Sequence, residues 1–509
     1  MTESSENDGD LAEYPLEKRK KHRQMDMLHG PMFKNILIFA LPLALTGILQ
    51  QLFNSADMAV VFWFEGSVAQ SAVNSNGALV NLVINLFTGL SVGVTVVVAE
   101  YIGKNKLDDL HSVTLTSIVM ATVCGIVLLG VGIGVAEPLL ILMDTPQESL
   151  ALATEYLRIY FIGVPFFMVY DFCAAILRGV GDTKKALYIL IATGVLNVGL
   201  NMLFVGVAKM SVAGVATATV ICNVLSAAMI LFFIMKDKTF RIRRGKSHMR
   251  GEYVKRISVI GLPAGLQGVV FSLANVFIQS GVNRFGAQAA AGSGDAINFE
   301  YYIYYFVNGF AQTTVTFFGQ NYAARNFERC KKIFRINMLA GLVVSTVLCV
   351  VFTLGANAFI RIYTSDEVAI KYAVLRMWCV SSGSMLPCFY EIAGGALRGM
   401  GHSMLPAVFT VIGSCVLRII WIYTLFAAFG YYWLLLIVYP VSWAVTGIAM
   451  MISYYIICRK AGFYKRKSQN ENDGCGELGS SDASAHADVR PASETACTAQ
   501  TDAPKPTRA

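Results

Sequence analysis

Charged residues are scarce in this chain. Asp, Glu, Lys and Arg make up 15% of its 509 residues, whereas ordinary soluble domains carry about 25%. Several soluble domains of this combined length would need far more polar residues to cover their surfaces. Hydrophobic residues reach 55% and recur in runs long enough to cross a bilayer, for which about 20 residues suffice. The composition therefore predicts an all-α polytopic membrane protein, because a helix satisfies its own backbone hydrogen bonds in lipid.

The sequence also lacks the patterns of common catalytic and metal sites. Its 11 cysteines form no C-x-x-C pair, and most lie in apolar runs, where a free cysteine behaves as a small apolar residue. The triplet Gly245–Ser247 resembles the end of a phosphate-binding loop, but Phe240 stands where the first glycine is required. No His/Cys metal-ligand spacing and no nucleophile elbow occur. We therefore expect neither an enzyme nor a cofactor.

Twelve apolar segments are visible along the chain, and we predict that each is a transmembrane helix. We number them spans 1 to 12. Their predicted bounds are 33–57, 78–102, 112–136, 151–175, 185–207, 212–235, 257–281, 295–319, 336–360, 369–396, 404–427 and 431–457.

Lys and Arg concentrate in alternate connections between these spans. The connection between spans 6 and 7 alone carries nine basic residues from Lys236 to Arg256. Connections that follow odd-numbered spans are nearly bare, apart from Arg361 and Lys371 after span 9. This alternation predicts that both termini are cytoplasmic, because cytoplasmic loops are enriched in Lys and Arg. It explains the net charge of +8 without a nucleic-acid partner.

The spans and charges divide the chain into five predicted regions. A polar cytoplasmic tail and a disordered cytoplasmic tail flank two six-helix bundles, which a basic cytoplasmic linker joins. The regions are, in order, 1–32, 33–235, 236–256, 257–458 and 459–509.

The two bundles share an internal repeat. Short motifs of the first half recur 220 or 221 residues later, after corresponding spans. Because six is even, both halves cross the membrane in the same orientation, and rocking of one half against the other can expose a central cleft to either side. The matching runs are Leu41, Pro42, Leu45 and Gly47 with Leu262, Pro263, Leu266 and Gly268; Val94, Thr95, Tyr101 and Asn105 with Val315, Thr316, Tyr322 and Asn326; and Leu177, Arg178, Gly179 and Gly181 with Leu397, Arg398, Gly399 and Gly401.

These motifs resemble the multidrug and toxic compound extrusion (MATE) family over residues 33–458. The resemblance rests on Leu-Arg-Gly-Val-Gly-Asp-Thr at 177–183, Leu-Arg-Gly-Met-Gly-His-Ser at 397–403, Asn-Ser-Ala-Asp at 54–57 and Gly-Gln-Asn-Tyr at 319–322. It implies a V-shaped, twelve-helix antiporter in the plasma membrane, such as a bacterial inner membrane. The implied partners are organic cations and drugs, H⁺ or Na⁺, and the lipid bilayer, and we expect a monomer.

Polar residues in spans 1, 5 and 6 form a candidate cation-coupling site. Asp57 is a carboxylate near the outer end of span 1, while Asn197 and Asn201 share one face of span 5. With Thr219 they offer the oxygen ligands that hard cations favour, and the resemblance implies that they are the family's cation site. The alternatives are an interfacial Asp57 and amides that only join helices. The family usually has aspartate at the position of Asn201, which favours H⁺ over Na⁺.

Further charges within the spans are functional candidates, because charge at lipid depth is costly. Asp171 and Glu391 are repeat equivalents, each seven residues before the Arg of its motif. We expect Glu391 to pair with Arg418 on the next span, either as a structural ion pair or as a proton-linked latch. Glu300 begins an aromatic stretch that forms either an outer-interface belt or a cleft wall for organic cations.

Two other functions remain open on the sequence. A lipid-linked oligosaccharide flippase of the same superfamily would also have many spans, but the acids within the spans argue against it. A membrane-embedded receptor or enzyme is the second alternative, against which the repeat and the missing catalytic constellation argue.

Overall fold

The computed structural model describes residues 25–142, 145, 147–237, 242 and 247–464. The chain forms one compact unit, Met1–Phe463, and a second unit, Tyr464–Ala509. Residues 1–24 of the predicted N-terminal tail, much of the predicted linker and the predicted disordered tail from residue 465 onward lie outside the described residues.

Helices occupy all six predicted spans of the first half. Spans 1 and 2 belong to one long helix, Met32–Gly103, which leaves helical geometry at Gly66 with φ of 81° and ψ of −167°. Glycine adopts this conformation without steric cost because it lacks a Cβ. The helices of spans 1 to 6 are Met32–Gly66, Val80–Gly103, Leu107–Leu142, Gln147–Val180, Lys184–Val207 and Ser211–Lys236.

The second half repeats this series of helices. Span 10 is divided into two helices by a short 3₁₀ turn at Ser381–Gly383, and a short helix, Ala356–Ile360, follows span 9. The helices of spans 7 to 12 are Gly251–Asn283, Ala287–Ala323, Phe327–Leu354, Glu367–Cys379 with Pro387–Gly399, Met404–Phe429 and Tyr432–Lys460.

Within the described residues, ten of these helices are long and apolar enough to cross a membrane. The two spans outside that set are 8 and 10, which carry the most intramembrane charge. Glu300 lies on span 8, and Arg376, Glu391 and Arg398 lie on span 10. Their low hydropathy reflects ion pairs that the bundle interior can accommodate.

The two halves contact each other through spans 2 and 7 and, symmetrically, through spans 1 and 8. A Cβ on Gly89 of span 2 would lie 2.1 Å from the backbone of Gly265 on span 7. A Cβ on Gly47 of span 1 would lie 2.3 Å from the ring of Tyr305 on span 8. Small residues at these positions therefore allow the helices to approach closely, as is usual in membrane bundles.

Several polar contacts tie the halves together where the even-numbered spans terminate. We call this end of the bundle the basic end, because Lys and Arg follow these spans. Arg256 at the start of span 7 pairs with Glu100 at 2.5 Å. Tyr253 donates its hydroxyl to Asp109 Oδ1 at 3.2 Å, and the Gln320 amide donates to the Gly179 carbonyl at 2.8 Å. The halves are thus joined at the basic end.

The segment before span 1 packs against the same end. Met27 is 1% exposed, and its carbonyl accepts hydrogen bonds from Asn321 Nδ2 and Arg329 Nε, both at 3.1 Å. Arg329 Nη2 also donates to the Gly30 carbonyl at 2.6 Å. These residues belong to the predicted polar tail, and the structure fixes them to spans 8 and 9 of the second half.

Candidate functional site

Three of the four predicted cation-site residues meet between spans 1 and 5. Asn201 donates its amide hydrogen to Asp57 Oδ1 at 2.5 Å and approaches Asn197 Oδ1 at 3.4 Å. The two asparagines lie one helical turn apart, which places them on one face of span 5. Asn197 is 7% exposed and Asn201 is fully buried. We call Asp57, Asn197 and Asn201 the first-half cluster.

The first-half cluster contains an unused oxygen. Asn201 Oδ1 is buried, and no described residue donates a hydrogen bond to it. A buried acceptor without a partner is costly, so such atoms often mark sites where an ion or water binds. Together with the Asp57 carboxylate and Asn197 Oδ1, it provides neutral and charged oxygens of the kind that bind a proton donor or Na⁺.

Thr219, the fourth predicted residue, is turned toward its own helix. Its hydroxyl donates to the Val215 carbonyl at 3.0 Å, one turn earlier on span 6. Cys222, three residues later, instead hydrogen-bonds with the Asn197 side chain. Sequence reasoning missed Cys222 because a cysteine in an apolar run is normally read as packing. Its three-residue separation from Thr219 places both on one helical face.

Span 5 changes its helical geometry directly after the cluster. The α-helix Lys184–Asn201 continues as a π-helical turn, Met202–Val207. Such turns widen the helix by one residue and are frequent at functional sites. Asn201 is therefore the last α-helical residue before a distortion.

The two repeat-equivalent acids pair with arginines on their own helices. Asp171 Oδ1 lies 3.5 Å from Arg178 Nη2, and Glu391 Oε2 lies 3.8 Å from Arg398 Nη1. In both cases the arginine is seven residues later, which is two helical turns and hence the same face. Tyr304 also donates its hydroxyl to Glu391 Oε1 at 3.3 Å.

The predicted pair between Glu391 and Arg418 is wrong. Arg418 donates from Nε to Ser442 Oγ and from Nη1 to Asn275 Oδ1, each at 3.1 Å. Glu391 contacts Arg398 and Tyr304 instead. The prediction chose the nearest charge on the neighbouring span and overlooked the charge two turns along the same helix.

Glu300 is neither a simple belt residue nor a free acid in a cleft wall. Its carboxylate forms a bidentate pair with Arg376, with distances of 2.8 Å from Nε and 2.9 Å from Nη2. Arg376 is 2% exposed and also donates to Ser293. This fork geometry is the strongest arrangement for an arginine and a carboxylate. The two charges of spans 8 and 10 had been noted separately on the sequence, but their pairing was missed.

Comparison with known proteins follows the repeat. A family model, MatE, matches residues 42–203 and 263–424, so the two matched blocks are 221 residues apart and correspond to the two halves. The predicted internal repeat is confirmed.

Curated relatives and solved structures match most of the chain. The probable multidrug resistance protein YoeA of Bacillus subtilis is 24% identical over 79% of this chain and 87% of its own length. The probable multidrug resistance protein NorM of Thermotoga maritima is 26% identical over 76% and 84%. A crystal structure of MATE in the straight conformation superposes with a TM-score of 0.81 at 21% identity, covering 86% of this chain and 99% of that chain.

Proposed function

Because the chain belongs to the MatE family, as the matches in both halves establish, we propose that it is a secondary antiporter. It exports amphipathic organic cations in exchange for an inward flow of H⁺ or Na⁺. Support for the substrate class comes from the multidrug resistance proteins that it resembles. The integral membrane location follows from the family and from the apolar helices.

The observation that carries this proposal is the contact between Asp57 and Asn201. It places one negative charge against a buried amide whose own oxygen has no described partner. A cation that binds Asp57 competes with the Asn201 N–H for the same carboxylate oxygen. Rotation of the Asn201 amide would remove that competition and turn Oδ1 toward the cation. The cluster can therefore exist in an empty and an occupied arrangement.

The neutral amide at position 201 bears on the choice of coupling ion. Tight Na⁺ sites gather several oxygens and usually more than one formal charge. The first-half cluster has a single carboxylate, which one proton neutralises completely. We therefore propose that H⁺ is the coupling ion. Thr219 is a reserve ligand that would join only if its hydroxyl left the Val215 carbonyl.

The contacts between the halves support alternating access as the transport cycle. In the described structure the halves are tied at the basic end by Glu100–Arg256, Asp109–Tyr253 and Gly179–Gln320. We assign the basic end to the cytoplasm by the positive-inside rule. Export then requires that these contacts break to admit a substrate and re-form to release it on the other side.

A liposome assay with imposed gradients tests the proposal. Purified protein is reconstituted, and uptake or release of ethidium is followed under a pH gradient without Na⁺, and under a Na⁺ gradient at fixed pH. We expect the pH gradient alone to drive ethidium movement. Transport that requires Na⁺ at fixed pH would assign the coupling to Na⁺, and no gradient-driven transport of organic cations would overturn the antiporter assignment.

A variant of the cluster sharpens the choice of ion. Asn201→Asp adds the second carboxylate that the family usually carries, and we expect it to increase the Na⁺ dependence of transport. Glu137→Gln is a matched control, because Glu137 is half exposed and pairs only with the half-exposed Arg158 among the described ion pairs. The control should leave the dependence on both ions unchanged.

A further inference from the structure

Arg418 lies in the interior of the second half. The side chain is fully buried. Its guanidinium carbon is 4.4 Å from the centre of the Tyr439 ring and 5.0 Å from that of Phe271. Ser442 and Asn275 accept its hydrogen bonds at 3.1 Å. We call Arg418 and these four residues the Arg418 site.

The positive charge of the Arg418 site has no described counter-charge. All four partners are neutral, and Nη2 of Arg418 is buried without a hydrogen-bond partner among the described residues. The nearby carboxylates of Glu300 and Glu391 are engaged by Arg376 and Arg398. Arginine does not lose its proton in proteins, so the charge persists. A buried guanidinium with a free N–H is arranged to receive an anion.

The repeat gives this observation its functional meaning. Arg418 follows Asn197 by 221 residues, the same offset that separates the two blocks matched by the family model. Ser442, which bonds to Arg418, follows Cys222, which bonds to Asn197, by the same interval. The Arg418 site and the first-half cluster thus occupy equivalent places, one with a carboxylate and the other with a guanidinium.

The helix around Arg418 is distorted on both sides. The short α-helical segment Leu417–Trp421 lies between two π-helical turns, Val411–Val416 and Ile422–Phe426. The second turn corresponds to the one that follows Asn201 in span 5. Such turns are costly and are retained mainly where they position functional groups.

We propose that the Arg418 site binds a small anion of carboxylate or halide type. Nη2 is the free donor, and the neighbouring donors of the planar guanidinium allow a carboxylate to be held by two hydrogen bonds. The two halves then select opposite charges at equivalent positions, so a zwitterionic substrate can engage both. A free anion such as chloride is the other source of the same chemistry. Binding at this site is independent of the antiport mechanism proposed above.

Titration calorimetry on the purified full-length protein tests the proposal. Benzoate and chloride are titrated separately in a buffer without other small anions. We expect one of them to bind at one site per chain, and its dissociation constant to rise at least about tenfold in Arg418→Gln, the loss of one charged hydrogen-bonded contact. Benzoate binding points to an organic carboxylate, and binding of chloride alone points to an inorganic ion.

A second variant keeps the test decisive if Arg418→Gln fails to fold. Asn275→Asp places a carboxylate where the amide oxygen already accepts from Arg418, so it supplies the missing counter-charge with little change of shape. We expect a folded protein that no longer binds the anion. Asn283→Asp, an exposed position at the end of the same helix, is the matched control and should bind normally. If wild type binds neither anion, or if Asn275→Asp binds as wild type does, the proposal is overturned.

Discussion

Asp57 differs from the other carboxylates of the spans in its partner. Asp171, Glu300 and Glu391 each lie against an arginine, whereas Asp57 receives its short hydrogen bond from the amide of Asn201. An arginine neutralises an acid permanently, while an amide leaves its charge available. Among the described acids within the spans, Asp57 is therefore the one arranged to exchange a cation during each cycle.

Replacing Asp57 by asparagine should uncouple transport without unfolding the protein. The Asp57→Asn side chain has the same shape and can still accept from Asn201, but it carries no charge to neutralise. We expect normal expression and thermal stability together with loss of gradient-driven drug efflux, measured as dye accumulation in cells. Glu137→Gln serves as the control. Undiminished efflux by Asp57→Asn would remove Asp57 from the coupling role.

The acid–arginine pairs of the motif helices make a different prediction, which concerns stability. Glu391→Gln leaves Arg398 buried without its carboxylate, and breaking such a pair typically costs about 3–5 kcal/mol. The double variant Glu391→Gln/Arg398→Gln removes both charges and keeps a polar side chain near Gln267, which Arg398 contacts at 2.9 Å. We expect thermal unfolding in detergent to show a clear loss for the single variant and substantial recovery for the double variant. Additive losses would mean that the pair contributes nothing through charge.

At the scale of residues, the sequence predicted clusters better than partners. The meeting of Asp57, Asn197 and Asn201 could be expected, because two residues four apart share a helix face and the third is the acid of span 1. The partners of Glu391 and Arg418 could not, because an arginine two turns away on the same helix competes with any neighbour across the bundle. That choice depends on rotation of each helix about its axis, which periodicity does not determine.

Among the elements, the segment before span 1 connects the two halves. It bonds to Arg329 and Asn321 of the second half. In the first half, a Cβ on Gly181 would lie 2.8 Å from Cε of Met27. Gly181 has a positive φ of 105°, so a larger residue would be both strained and obstructed. The segment therefore helps to close the basic end.

Loosening this segment should expose the basic end. Arg329→Gln removes the charged bonds to the carbonyls of Met27 and Gly30, whereas Arg335→Gln on the exposed face of the same helix removes none of them. We expect several-fold faster maleimide labelling of the neighbouring Cys330, which is fully buried, in Arg329→Gln only. Peptide mass spectrometry measures the labelling at this cysteine. Equal rates in both variants would show that the segment does not close this end.

The elements themselves were largely predictable. Long apolar runs bounded by Lys and Arg identify transmembrane helices because lipid leaves the backbone few alternatives. Irregularities within them were not predicted, namely the break at Gly66, the 3₁₀ turn at Ser381–Gly383 and the π turns beside Asn201 and Arg418. These arise from packing between helices, and a hydropathy profile carries no record of it.

At the scale of the whole molecule, two similar halves hold sites of opposite charge. The repeat could be read from motifs such as Leu-Arg-Gly because both copies kept their spacing. The difference between Asn197 and Arg418 acquires meaning only after the structure shows that Ser442 and Cys222 hold them in the same way. Symmetry of fold with asymmetry of charge suits a carrier that must bind two unlike cargoes.

Alternating access requires that the interface between the halves changes during each cycle, and the contact between spans 2 and 7 allows a direct test. Asn85 Nδ2 lies 3.1 Å from Ser272 Oγ across this interface, so Asn85→Cys/Ser272→Cys should form a disulfide on oxidation. We expect the oxidised protein to lose ethidium transport in liposomes and to regain it on reduction.

The matched control for this disulfide lies within one half. Ser345→Cys forms a bond with the native Cys388, whose sulfur is 3.4 Å from Ser345 Oγ, and it joins spans 9 and 10 of the second half. Oxidation of the control should leave transport intact, because rocking moves each half as a body. Full transport by the oxidised Asn85→Cys/Ser272→Cys protein would mean that spans 2 and 7 need not separate, and the cycle would then require motion within the halves.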